Sequence, residues 1–230
     1  MHDHPVLNRI WLGFVGLNAA FVTYLGLGAP LRMDRAFTWA ELPPFHARFV
    51  GCLYLFGAVL LLGAACTREW AAVAPVIGGT AIFTTSMIVL TLLNWSAFDL
   101  HLTGPLVWTI AYAVFAPPSL LLTEWYQRRP IEEAAEGPAT PQWLRLGLRT
   151  LAVAFGLLGV ALLVARGVMV DLWPWKVSTG VAQFYGGPFL TLAWCAWSYS
   201  SRHRIRTLRL YLAAMTALGV SVLAVSLHHR

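Results

Sequence analysis

The stretch TWAELPPFHARFVG, residues 38–51, sets Glu41, His46 and Arg48 at the mouth of an apolar run, CLYLFGAVLLLGAAC. A second stretch, FDLHL, places Asp99 two residues before His101. Imidazole and carboxylate ligands suit zinc, iron or copper, so His46, His101 and Asp99 form a candidate metal set. Two histidines facing each other across a bundle, His46 with His101 or His228, would hold a haem. Against this stands the spacing. No HxxxH or HExxH pair sets two ligands on one turn of helix, and His228-His229 lie close to a chain end that tends to fray. The competing reading is of interfacial side chains that meet water and headgroups. The sequence requires no cofactor.

Arg48 raises a separate question. It falls about one turn inside an apolar helix, where a charge must snorkel or find a partner. Glu41, Asp34 and Asp99 are the natural carboxylates. His46 and Arg48 are two apart, so a helix points them to roughly opposite faces. Ala47–Leu55 (ARFVGCLYL) also sets against Ala182–Leu190 (AQFYGGPFL), sharing Ala, Phe, Gly and Leu at four positions. That alignment pairs Arg48 with Gln183, and both are expected to face inward. The candidate ligand-binding set is therefore Glu41, His46, Arg48, Asp99, His101 and Gln183.

These residues must be positioned by elements that live in lipid. The 230 residues are 58% hydrophobic and only 11% charged, with a mean hydropathy of +0.66. Soluble domains carry about 25% charged residues, and a soluble fold of this size could not hide so much apolar surface. Spanning helices need about 20 mostly apolar residues. Seven segments qualify or nearly do: 10–28, 46–66, 71–93, 105–123, 148–170, 183–200 and 206–227. The sixth is the shortest and opens on Gly186, Gly187 and Pro188. Continuous runs favour helices over a barrel. The first run lacks a good cleavage site and reads as a retained helix.

The fold class is thus an all-α polytopic membrane bundle, a single integral membrane domain over 1–230. Its first half is 1–123, a cytoplasmic linker covers 124–147, and the second half is 148–230. If the two aligned stretches are copies, helices 1–3 and 5–7 repeat in parallel around a connecting fourth, a 3+1+3 plan used by several transporter classes.

The net charge of +6 comes from 15 Arg and Lys176. Ten of these sixteen fall at the N-terminus and in alternate loops, six in the others, which predicts the N-terminus in the cytoplasm and the C-terminus outside a bacterial-type inner (plasma) membrane. Arginines spaced between apolar runs read as topology signals, not as a nucleic-acid surface. Trp39, Trp95, Trp173 and Trp175 fall in the outer loops, where an aromatic belt would sit. In the first of these loops, Met33, Phe37 and Ala40 recur at helical spacing, which predicts a short helix lying in the interface.

Within the spans the polar groups are mild. Thr80, Thr84, Thr85 and Ser86 share helix 3, with Asn18, Thr109 and Tyr112 elsewhere. Such groups pack helices together or line a neutral path. Pro75, Pro117-Pro118 and Pro188 predict kinks. Cys52, Cys66 and Cys195 read as small core residues. Asn94 starts an NWS sequon at the membrane edge. No GxSxG, phosphate-binding loop or intramembrane carboxylate is present.

Three functions follow. The first is a non-enzymatic permease or binding subunit for a small neutral or amphipathic ligand. The second is an accessory subunit of a larger membrane complex. The third is a membrane metalloenzyme or haem protein. The expected partners are the lipid bilayer and other membrane subunits.

Overall fold

The computed structural model describes residues 6–36, 42–128 and 137–229. Glu41, Phe37, Trp39, Ala40 and residues 129–136 of the linker fall outside them, as do the side chains of Asp34 and Arg35. The described residues form helices and no strand: α1 (Val6–Gly28), α2 (Pro30–Ala36), α3 (Pro44–Cys66), α4 (Trp70–Leu93), α5 (Thr103–Gln127), α6 (Gln142–Val164), α7 (Arg166–Leu172), α8 (Thr179–Ser200) and α9 (Ile205–His228). A 3-10 turn over Trp95–Ala97 follows α4. Six of these helices, α1, α3, α4, α5, α6 and α9, are long and apolar enough to cross a membrane. A 23-residue helix is about 35 Å long, against about 30 Å of hydrocarbon. The chain is a multi-pass membrane protein in its architecture.

Local chemistry explains where the helices begin. Pro30 and Pro44 open α2 and α3, where the missing N–H costs nothing and φ is already helical. Ser178 caps α8, its hydroxyl accepting from the Val181 N–H at 3.3 Å. The expected span 148–170 is divided. It starts earlier, at Gln142, and stops at Val164, and α7 sets off from Ala165 (φ −111°, ψ 38°). After 23 residues α6 has already crossed the hydrocarbon thickness, so the remaining residues turn aside.

The long helices pack as antiparallel pairs. The most extensive contacts are α1 with α3 and α6 with α8, followed by α3 with α9, α4 with α8 and α4 with α5. On α1 and α3, Arg9 Nε donates to the Ala65 carbonyl at one end, while Gly26 meets Gly51 at the other. On α4 and α8, Tyr199 donates to the Ala72 carbonyl (2.6 Å) at one end, and Asn94 reaches Gln183 at the other. The short helices α2 and α7 lie against α3 and α8 respectively.

The helix α8 is the seventh long one, and its composition is too polar for it to join the six. Its surroundings explain why. Most of its residues are buried by protein, including Gln183, Tyr185, Tyr199 and Ser200. A helix walled by other helices does not need an apolar coat toward lipid. By contrast α6 and α9 leave Leu157, Val164, Val220 and Leu223 exposed. The segment 137–141 is not free. Ala139 bridges Arg204, the Thr140 N–H donates to the His203 carbonyl and the Ile205 N–H donates to the Pro138 carbonyl.

Candidate functional site

The centre of the bundle holds a cavity of about 70 Å³ between α1, α3, α4, α5 and α8. Gly57 and Gly79 make its space, since neither contributes a side chain. Its walls are Val15, Leu53, Phe83 and Phe115 among other apolar groups, with a few neutral polar ones. Among the described residues no carboxylate, guanidinium or ammonium lines it.

The polar groups have defined roles. Thr80 and Thr84 donate their hydroxyls one turn back, to the Val76 and Thr80 carbonyls, at 2.8 and 2.9 Å. Thr191 does the same to Gly187 at 3.0 Å. Each therefore shows its lone pairs, and no proton, to a ligand. Tyr54 and Tyr112 hydrogen-bond to one another through their hydroxyls. In such a pair one proton is spent between the two oxygens, and the accepting hydroxyl keeps its own to donate. Rings surround the pair: Phe83 lies edge-on to Tyr54 at 5.6 Å, and Trp108 lies 4.5 Å from Tyr112. Trp108 is itself anchored, its indole N–H donating to Thr91 Oγ1 at 2.9 Å. On α8, Pro188 faces the cavity and supplies no N–H to the Phe184 carbonyl one turn back. The site thus offers acceptors, the free proton of the tyrosine pair and the side-chain amide of Asn18 inside an apolar shell. That suits a small neutral molecule carrying a hydroxyl, carbonyl or amide.

Each end of the bundle is tied across the two halves of the chain. At one end His46, 6% exposed, opens α3. Its Nε2 lies 2.8 Å from the Lys176 carbonyl and its Nδ1 2.9 Å from the Tyr185 hydroxyl. A carbonyl only accepts, so Nε2 carries the proton, and the neutral ring takes the Tyr185 proton on Nδ1. Beside it Gln183, 4% exposed, joins three elements. Its Oε1 accepts from Asn94 Nδ2 and Arg166 Nη1, both at 3.1 Å, and its Nε2 donates to the Leu163 carbonyl at 3.4 Å. At the opposite end Glu69 accepts from the Thr207 hydroxyl at 2.7 Å and lies 3.5 Å from Arg206 Nε.

The candidate residues are not brought to one place. His46 and Gln183 are buried on α3 and α8. Asp99 and His101 are exposed in the loop before α5, where Asp99 Oδ1 accepts the His101 backbone N–H at 3.0 Å. Arg48 is half-exposed, and its Nη1 donates to His229 Nε2 at 2.6 Å. Glu41 lies outside the described residues. Among the described residues no three His, Cys, Asp or Glu side chains gather as metal ligands, and both nitrogens of His46 are already engaged. Sequence reasoning passed over Tyr54, Tyr185, Lys176 and Arg166, and it read Asn94 only as a sequon. The one available signal was the aligned stretch AQFYGGPFL, which contains Tyr185 two residues from Gln183.

The Arg48–His229 contact carries a pH dependence. Lost hydration lowers the His229 pKa, and the charges of Arg48 and His228 lower it further. The unfolded chain therefore binds the proton at the higher pH. The contact is intact above the ordinary histidine value and is lost as pH falls through the lowered one. NMR titration of labelled histidine in a His228→Gln background is expected to show His229 titrating below a free histidine. Arg48→Gln should move it back upward, and an unchanged midpoint would contradict the contact.

No family model matches this chain, and no curated protein or solved structure matches it either.

Proposed function

We propose that this protein is a permease or membrane binding protein for a small neutral ligand, held in the central cavity. The observation that carries the reading is the cavity's lining, which is uncharged among the described residues, has a donor-capable tyrosine pair, and is reached by helices from both halves of the chain. A space of about 70 Å³ admits a few waters or a ligand of similar bulk. The Thr80, Thr84 and Thr191 acceptors lie on α4 and α8 and the tyrosine pair on α3 and α5, so a ligand bridges elements that the end ties hold together. Entry at one end requires release of the His46–Tyr185 and Gln183–Asn94 ties, and exit at the other requires release of Glu69–Thr207.

The pattern of helix pairing supports a 3+1+3 plan in which α8 also spans the bilayer. Exchanging α1 with α6, α2 with α7, α3 with α8 and α4 with α9 converts four of the five most extensive contacts into one another, α4–α5 having no counterpart of like extent. The pair α1–α3 becomes α6–α8, and α3–α9 becomes α8–α4. The aligned glycines obey the same exchange: Gly51 packs on Gly26 of α1, and Gly186 packs on Leu163 and Gly159 of α6. The helix α5 is then the connector. The excess of arginine at the Glu69 end orients that end, and the N-terminus, toward the cytoplasm.

Stopped-flow light scattering tests the reading. Proteoliposomes challenged with glycerol, urea or ethylene glycol are expected to relax faster than empty vesicles for at least one solute. Gly57→Val places a side chain in the cavity where a Cβ meets nothing within 4 Å, so the fold should tolerate it. It is expected to return the rate to that of empty vesicles with Tm retained. Rates equal to those of empty vesicles for all three solutes with wild-type protein, or a Gly57→Val rate equal to wild type, would sink it.

A further inference from the structure

We propose that Arg32 and Arg48 hold the phosphate of an anionic phospholipid in a cleft at the His46 end of α1. This site is separate from the central cavity and is independent of what that cavity binds. The cleft, about 620 Å³, opens between the end of α1, α2 and the start of α3. Its two charged groups are both guanidiniums, and among the described residues no carboxylate lines it. Arg48 meets His229 Nε2, a neutral imidazole nitrogen, and among the described residues no carboxylate pairs with it. A guanidinium offers five donors in a planar fork that matches phosphate oxygens. Two of them at the depth where a spanning helix leaves the hydrocarbon match the depth of a headgroup.

Two further features separate a lipid from a free anion. On α1, Phe14, Leu17, Phe21 and Tyr24 are all exposed, with relative exposures between 57% and 64%. Their spacing puts them on one stripe of the helix, and Tyr24 belongs both to the stripe and to the cleft wall. An acyl chain laid along the stripe brings its headgroup to the arginines. At Gly28 a Cβ would stand 3.3 Å from the Tyr24 ring. The bare glycine therefore leaves room for that ring in the cleft wall.

Native mass spectrometry in neutral detergent tests the site. Wild-type protein titrated with phosphatidylglycerol is expected to bind it about tenfold more tightly than phosphatidylcholine, the factor that one charge-assisted contact supplies. Arg32→Gln, at an exposed position, is expected to lose that preference. Arg149→Gln removes an equal charge from an exposed position on α6 and should keep it. The assignment is overturned if the two lipids bind alike, if Arg32→Gln binds as wild type, or if Arg149→Gln loses as much. Inorganic phosphate separates the sources. A rise in Tm with phosphate alone, matching that with phosphatidylglycerol and absent in Arg32→Gln, would assign the cleft to a soluble anion and overturn the lipid. No rise upholds it.

Discussion

Gly26→Ala is expected to destabilise the protein by about 3 kcal/mol, the upper part of the range for overpacking. The reason is geometric. A Cβ at position 26 would lie 2.6 Å from the Ala47 carbonyl oxygen, 2.6 Å from Gly51 Cα and 2.8 Å from Gly51 N. All three are backbone atoms, so no side chain can rotate away and the helices themselves must part. The pair α1–α3 is one of the two most extensive in the bundle, and in lipid it is held by close packing, with no hydrophobic driving force. Separating it also draws Arg9 from the Ala65 carbonyl at the far end. Gly219→Ala on α9, where a Cβ meets nothing within 4 Å, is the matched control. It should be neutral or slightly stabilising through helix propensity. Detergent-solubilised unfolding curves compare the two, and equal midpoints would show that the crossing is looser than described.

His46→Ala is expected to cost about 2 kcal/mol, because it strands the buried Tyr185 hydroxyl and also leaves the part-buried Lys176 carbonyl without its donor. The Lys176 carbonyl loses its donor and the Tyr185 hydroxyl its acceptor. Tyr185 is fully enclosed, so water does not easily replace the lost partner. Tyr185→Phe removes the hydroxyl and leaves a single group, His46 Nδ1, without its partner, so it should cost less, about 1 kcal/mol. The double variant is expected to be more stable than the sum of the two losses, with a coupling of about 1 kcal/mol, as contacting residues show. Full additivity would mean that the two side chains do not share a bond. Because this tie joins α3 of one half to α8 and its preceding loop in the other, its loss should also loosen the His46 end before the Glu69 end. Hydrogen exchange at residues 173–185 reads that out.

Several features are legible in the residue order alone. The low charge and long apolar runs place the chain in lipid, and the runs are helical within a few residues of their expected bounds, the fifth being divided at Ala165. The medium acts on every residue separately, so a local average over about 20 positions is enough to read it. The short helix expected after the first span is present as α2, although Phe37 and Ala40 of that expectation lie outside the described residues. The outcome at α8 shows where local averaging stops. Its polar content reads as a weak span only when lipid is assumed on all sides, and protein surrounds it instead.

The candidate site divides along the same line. From residue types alone, His46, Arg48 and Gln183 stand out as polar groups in apolar runs, and His46 and Gln183 do become buried junctions. Their partners are invisible at that level. Tyr185 lies 139 residues from His46 and Asn94 lies 89 from Gln183. Tyr54 meets Tyr112 across 58. Apolar runs of similar length and composition carry little information about which of them are neighbours, because any one buries as well against any other.

By itself, then, the amino-acid order determined the solvent, the helices, their approximate ends and the polar residues that interrupt them. The tertiary structure alone decided which helices pair, that two glycines let α1 and α3 touch, that two tyrosines meet beside a cavity and that Arg48 turns to His229 and the cleft with Arg32. The physical reason is range. Partitioning into lipid is a property of each segment, whereas a hydrogen bond or a close crossing exists only when the packing of the whole bundle brings two distant segments into one register.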